Sequence, residues 1–311
     1  MKSQNKVLLL LSVGVIFNLF PILVSADEKA SETLKIIQKI EKQDPAKLRV
    51  EKFNNRSEYI KGDLNIKIDK DNRKILVKNR QKRDFSIGIP SIENQKVIST
   101  EGQIVHNSEK IDIIIQPIEG GIRQVVNIKN SEAPKAYQFP IELSRGYNMK
   151  INTRGGVDII NNSGQIESGI LPPWAKDAEG KDIKTWYTLD GNILTQHIDT
   201  TNAIYPILAD PVYCSQYANS VWNEWRGGWD TIRVIPSGCG RAFSRDNLSG
   251  SFLEVHRKSG RQLSGSRYNS TFWQWKCHTE WAQVFPGTWD LEIARPDVGY
   301  WGTVRSQCNP T

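Results

Sequence analysis

Four ionisable residues near the C-terminus stand at spacings that suit proton chemistry. Glu254 and His256 are two apart, and so are His278 and Glu280. Residues two apart share one face of an extended strand. Two neighbouring strands with those faces aligned would gather two imidazoles and two carboxylates, a set able to act as general acid and base or to hold a metal. As separate pairs they are ordinary surface groups. A second set is aromatic. Trp273 and Trp275 fall on one face of a stretch that reads as a strand, and Trp222, Trp225 and Trp229 recur at helical spacing. Each set can offer flat apolar surface to sugar rings or a lipid interface, although large rings also fill small cores. Arg257, Lys258, Arg261 and Arg267 flank a Gly/Ser-rich loop whose charge suits phosphate or plain solvation. The nucleophile elbow, the His-Glu-x-x-His helix and the phosphate-cradling glycine loop are all missing, and nothing calls for a cofactor.

The elements that must position these residues divide the chain in two. All four cysteines, Cys214, Cys239, Cys277 and Cys308, lie in the last third, together with eight of the ten tryptophans. An even cysteine count in a segment of domain size reads as a disulfide framework with three possible pairings. Zinc is the competing reading, but no two cysteines have the spacing of a zinc knuckle. Thr231 to Ile235, Ser251 to His256, Thr271 to Cys277 and Trp289 to Ile293 read as strands, so this part is expected to be a small α+β or mostly β unit. Upstream, Leu34, Ile36, Ile37 and Ile40 suit a short amphipathic helix from Ala30 to Lys42, ending near Asp44-Pro45. From Arg49 to Pro211 the sequence breaks into short alternating runs. Leu64, Ile66 and Ile68, a turn at 69–72, then Ile75 and Val77 form the clearest hairpin. Many short strands without long helical stretches between them predict a mainly β fold, an antiparallel sandwich or meander.

The N-terminus looks like an export signal. Lys2 and Lys6 precede an apolar run from Val7 to Phe20, and Val24-Ser25-Ala26 suits cleavage before Asp27. The run is short for a membrane span, and no stop-transfer cluster follows it. The expected mature protein is secreted and extracellular, free or associated with the cell wall, in a compartment that allows disulfides. The formal net charge of +7 is spread along the chain. One tighter basic group, Arg73, Lys74, Lys78, Arg80, Lys82 and Arg83, can attract an anionic polymer or protect a hairpin edge.

Two stretches carry resemblances. The run Ile170-Leu-Pro-Pro-Trp-Ala-Lys-Asp-Ala-Glu-Gly-Lys181, with Trp186-Tyr187 and the closing Ile204-Tyr-Pro-Ile-Leu-Ala-Asp-Pro211, resembles a module of secreted Gram-positive proteins. That resemblance implies a presenting domain ending at Asp210-Pro211. Cys277-His278, Trp289-Asp-Leu-Glu292, Arg295-Pro296 and Cys308-Asn309-Pro310 resemble a domain-of-unknown-function family found at the C-terminus of secreted bacterial proteins. It implies pairing of Cys277 with Cys308, which leaves Cys214 with Cys239, and it brings no activity. The expected organisation is a signal peptide at 1–26, a short amphipathic helix and linker at 27–48, a β-rich presenting domain at 49–211 and a disulfide-bonded domain at 212–311.

Two functions follow from these features. The leading one is a non-enzymatic protein that binds the envelope or a cell surface, through cell-wall glycan, teichoic acid or another anionic surface, with nucleic acid the lesser candidate. The other is a secreted hydrolase or antibacterial toxin acting on wall polymer or nucleic acid through His256, His278 and their carboxylates.

Overall fold

The computed structural model describes residues 26–41, 48–80, 84–283, 285 and 287–310. The expected signal peptide lies outside them apart from Ala26, as do Lys82 and Arg83 of the basic group and the expected helix stop at Asp44-Pro45. Helix α1 spans Ala26–Glu41. Then come β1 (Glu58–Lys61), β2 (Leu64–Asp69), β3 (Lys74–Asn79), β4 (Phe85–Gly88), β5 (Lys96–Thr100), β6 (Gln103–Asn107), β7 (Ile111–Ile118) and β8 (Gly121–Ile128). They are followed by β9 (Ala136–Leu143), β10 (Tyr147–Ile151), β11 (Val157–Asn161), β12 (Ile166–Ile170), β13 (Trp174–Lys176), β14 (Thr185–Asp190), β15 (Ile193–Ile198), β16 (Ile207–Asp210) and β17 (Val212–Cys214). The C-terminal region holds β18 (Ala218–Arg226), β19 (Trp229–Pro236), α2 (Gly238–Phe243), α3 (Leu248–Ser259), α4 (Gly265–Trp281), β20 (Trp289–Glu292) and α5 (Gly299–Arg305).

Two large antiparallel sheets carry the first part. One runs β1-β2-β3-β4-β9-β15-β14, and the other β10-β11-β12-β17-β8-β7-β6-β5, with β16 joining β8 to β13. The expected hairpin forms, with Leu64 opposite Asn79 and Ile68 opposite Ile75. Alternation sets the faces: Tyr137, Phe139 and Ile141 of β9 point inward while their neighbours stay exposed. The inward residues of both sheets, Ile66, Ile87 and Phe139 among them on one and Ile113, Ile115 and Val126 on the other, join in one core. The central strands β7 and β8 are buried along their whole length. The second face of this sheet, with Val105 of β6, Ile114 of β7, Val125 of β8 and Leu208 of β16, is covered by Ala30, Leu34 and Ile37 of α1. Among the described residues, no helix is long and apolar enough to cross a membrane.

The C-terminal region packs its helices on the three-stranded sheet β18-β19-β20 around Ile232, Val234, Phe252, Trp275, Trp289 and Leu291. Two of its expected strands are present as β19 and β20. The other two are helices: Ser251 to His256 lies in α3 and Thr271 to Cys277 in α4. The α3 signals are local. Asn247 caps its N-terminus, accepting from the Gly250 N–H, and Gly260 closes it at φ 65°. Helix α4 is harder to recognise because Ser270, Thr271, Gln274 and Thr279 occupy buried positions while Phe272 and Trp273 stand only partly covered. The tryptophans at 222, 225 and 229 are not on a helix. Arg226 pairs with Trp229 across Gly227-Gly228, both at positive φ, which is the tight turn of a hairpin.

The two parts meet through a dense joint. Strand β17 pairs with β8 and β12, so residues 212–214 still belong to the large sheet. Cys214 is bonded to Cys239 of α2, and this crosslink therefore ties the large sheet to the C-terminal region. The β7–β8 turn admits the approach. A Cβ on Gly120 would fall 2.3 Å from the Gln216 carbonyl, and one on Gly121 would fall 1.9 Å from that of Tyr213. Ion pairs Lys258–Asp63 (3.1 Å), Arg257–Glu167 (3.6 Å) and Arg154–Asp246 span the same joint.

Candidate functional site

Helical geometry disperses the residues singled out for proton chemistry. Each helical residue turns about 100° from the last, so residues two apart point in nearly opposite directions rather than along one face. Glu254 turns inward and is 1% exposed. Its Oε1 accepts from the backbone N–H groups of Tyr217 and Ala218, both at 3.0 Å, and lies 3.2 Å from Lys258 Nζ. That carboxylate anchors the start of β18. His256 lies parallel to Phe252 at 6.1 Å and edge-on to Tyr268 at 5.6 Å, and its Nε2 is 3.4 Å from the Leu263 N–H. It closes the α3–α4 loop.

His278 sits elsewhere. Its ring lies parallel to Trp289 at 5.8 Å, and Nε2 donates to the Asp290 carbonyl at 3.2 Å. Burial lowers its pKa to about 4 against the opposing pull of Asp290, so the ring is neutral near pH 7. Tyr268, beside His256, and His278 are separated by about 15 Å of helical rise along α4, far beyond the reach of one shared proton. Glu280 is exposed and accepts from the Tyr300 hydroxyl. Among the described residues, no group of three or more His, Cys, Asp or Glu side chains is arranged to hold a metal.

Three of the four cations around the Gly/Ser-rich loop have partners, and Arg267 is exposed. Arg257 meets Glu167, Arg261 meets Asp230 at 2.6 Å, and Lys258 holds Asp63, Glu254 and the Ala218 carbonyl. In the basic hairpin, Lys74 pairs with Glu142, and Arg73 donates to the Pro90 carbonyl.

The aromatic residues divide by face. Trp275 is fully buried, edge-on to Trp289 at 5.1 Å, with Nε1 donating to Ser251 Oγ at 3.0 Å. Its expected partner Trp273 turns the other way, toward α5. There Tyr300 is the centre of a cluster, 6.3 Å from the Trp273 ring and 5.1 Å from that of Trp301. Trp281 Nε1 donates to the Tyr300 hydroxyl at 3.1 Å, and Lys276 Nζ lies 3.9 Å from the centre of the Tyr300 ring. Residues 273, 276 and 280 form one stripe of α4 because neighbours three and four apart share a face, and Trp281 follows at its end. The Cys277–Cys308 disulfide ties the chain just beyond α5 back to that helix. Trp281 and Trp301 nevertheless remain 58% and 65% exposed.

Residues 217–311 match the family model described as a protein of unknown function (DUF2599). The DUF2599 region thus contains the Cys277–Cys308 bond whole, and one end of the Cys214–Cys239 bond. No curated protein matches the chain, and no solved structure matches it.

Elsewhere in the DUF2599 region, three tryptophans lie against guanidinium groups, while Trp225 stands at the hairpin tip, 74% exposed. Arg233 lies 5.3 Å from Trp222, Arg295 lies 4.2 Å from Trp229 and Arg241 lies 5.8 Å from Trp289. The aromatic cluster on α4 and α5 differs because two exposed indoles are grouped around one further ring, Tyr300. Sequence reasoning missed Tyr300 and Lys276, for which the adjacent pair Tyr300-Trp301 following Gly299 was the available signal.

Proposed function

We propose that the chain is an exported, non-enzymatic protein whose DUF2599 region binds a glycan of the bacterial envelope on the α4–α5 aromatic cluster. The observation that carries this reading is the Tyr300 hub: Trp273, Trp281 and Trp301 surround it, and two of the three keep most of their surface exposed. Sugar rings present weakly polar C–H faces that lie well on indole and phenol rings, while their hydroxyls need hydrogen-bonding partners. Glu280 and Lys276 stand beside the rings to supply them. The rings are held by one another and by the disulfide-tied α5, so little side-chain freedom is lost on binding. In this reading the two large sheets present the DUF2599 region away from the cell, and the export signal brings both outside. The hydrolase alternative lacks comparable support, since His256 and His278 serve separate packing roles.

Retention of the secreted, oxidised chain on insoluble cell-wall glycan is the test. Trp273→Ala combined with Trp301→Ala is expected to lower retention roughly tenfold or more, with the near-ultraviolet circular dichroism of the buried Trp275 environment preserved. Unchanged retention by that double variant would refute the reading, and so would release of soluble fragments from the glycan by the parent protein.

A further inference from the structure

A polar pocket beneath α1 lies apart from the aromatic cluster. One wall is α1 itself, and the other is formed by the β6–β7 turn with the ends of β5 and β8. Its volume is about 540 Å³, within the range of small-molecule sites. Next to it, on a sheet face otherwise lined by Val105, Ile114 and Val125, is the fully buried carboxylate of Asp112. Asp112 Oδ1 accepts from Asn107 Nδ2 (2.8 Å) and the Ser108 N–H (3.3 Å), and pairs with Lys129 Nζ (2.7 Å). Its Oδ2 accepts from Thr33 Oγ1 of α1 (2.8 Å) and Asn127 Nδ2 (3.1 Å).

Asn127 carries the argument further. Its Nδ2 is committed to Asp112, which fixes the orientation of the amide. The Oδ1 is then left buried without a hydrogen-bond partner among the described residues, at a side chain that lines the pocket and is 2% exposed. A buried amide oxygen in that state calls for a donor. Around the rim, Glu32, Glu109 and Lys96 are exposed, and none has an ion-pair partner among the described residues.

We infer that this pocket binds a small α-amino acid or the amino-terminal residue of a short peptide. The ammonium group donates to Asn127 Oδ1 and is balanced by Glu32 and Glu109, while Lys96 takes the carboxylate or its peptide equivalent. A simple anion would face the two glutamates, and a simple cation would leave the lysine unanswered, so a ligand carrying both signs fits best. The pocket is too small for a folded partner.

Calorimetric titration of the full secreted chain tests the inference, with alanine, dialanine, N-acetylalanine, ethylamine and acetate as probes. Saturable binding of alanine or dialanine is expected, with N-acetylalanine and acetate weaker by roughly tenfold or more because they lack the ammonium. Preference for dialanine identifies a peptide terminus as the source, and preference for alanine a free amino acid. Glu32→Gln with Glu109→Gln, both at exposed positions, should weaken binding roughly tenfold while leaving the unfolding midpoint in place. The inference is overturned if none of the five probes saturates, if N-acetylalanine binds as well as alanine, or if the double variant binds like the parent.

Discussion

In the two large sheets the buried positions belong chiefly to isoleucine and valine, whereas the DUF2599 region centres its core on Trp275, Trp289 and Phe252, encloses one disulfide and shares a second with the large sheet. The first part spreads one core over the facing residues of two broad sheets and contains no cysteine before Cys214. The second has one three-stranded sheet with helices on it, and a small unit buries a smaller fraction of its surface. Crosslinks and large rings make up that difference. Because Cys214 lies in the large sheet and Cys239 in α2, one of the crosslinks also fastens the smaller part to the larger. Size and core chemistry, rather than a shared architecture, explain why three of the four cysteines lie on the smaller side of the joint.

The largest expected effect comes from the aromatic core. Trp275→Ala should destabilise the DUF2599 region by about 3–5 kcal/mol, through lost burial and the cavity left behind, while Ile113→Val between the large sheets should cost about 0.5–1.5 kcal/mol. Denaturant unfolding followed by circular dichroism compares them, and equal costs would break the contrast. Next come the disulfides, which close 31 and 25 positions and are each worth about 3.5 kcal/mol by chain entropy. Replacing Cys277 and Cys308 by serine should speed hydrogen exchange in β19 and β20 and leave β7 and β8 unaffected. Replacing Cys214 and Cys239 should speed exchange in β8 as well, because β17 pairs directly with it.

The same contrast decides what could be read in advance. The β2–β3 hairpin was legible because Leu64, Ile66 and Ile68 alternate cleanly with polar neighbours, and a period of two is the mark of a strand with one buried face. The architecture of the large part, antiparallel and mainly β, followed from many such runs. In the DUF2599 region the code failed at α4, where polar Gln274 is buried and aromatic Trp281 is exposed, so polarity no longer reports which face is inside. That error carried the candidate site with it: His278 and Glu280 share a face only on a strand. Trp222, Trp225 and Trp229 misled in the opposite direction, although Gly227-Gly228 held the hairpin signal. The aromatic cluster was half visible through Trp273, and its centre at Tyr300 needed the tertiary contact between α4 and α5. The pocket beneath α1 had no sequence signature, since Thr33, Asp112 and Asn127 come from distant segments.

A smaller effect, spread over pH, uses one histidine from each part. Burial lowers the pKa of His106 to about 4, with the Arg73 charge adding to it, and burial lowers that of His278 to about 4 as well. Both rings keep one buried nitrogen without a partner among the described residues, so protonation would add an unanswered N–H and a charge. In the unfolded chain each binds a proton near pH 6.5. Between about 6.5 and 4 the unfolded state therefore holds more protons, so stability is full above that window and falls as pH drops through it, by at most about 1.4 kcal/mol per unit for each ring. His106→Gln should flatten the acid slope measured for the large sheets, and His278→Gln that of the DUF2599 region. A slope unchanged in both would show that the rings are already charged in the fold.

The smallest expected change in stability concerns Trp301. It is 65% exposed, and its ring contact is with Tyr300, itself partly open. Trp301→Ala removes little buried area, so unfolding should shift by no more than about 0.5 kcal/mol, the range of ordinary surface substitutions. Trp275→Ala is the same chemical change with the opposite expected consequence: one indole closes a core, and the other lies on its outside. If Trp301→Ala destabilises the region as much as Trp275→Ala does, the exposed rings are a structural layer of a small fold, and the division between buried core and exposed aromatic surface within α4 and α5 disappears.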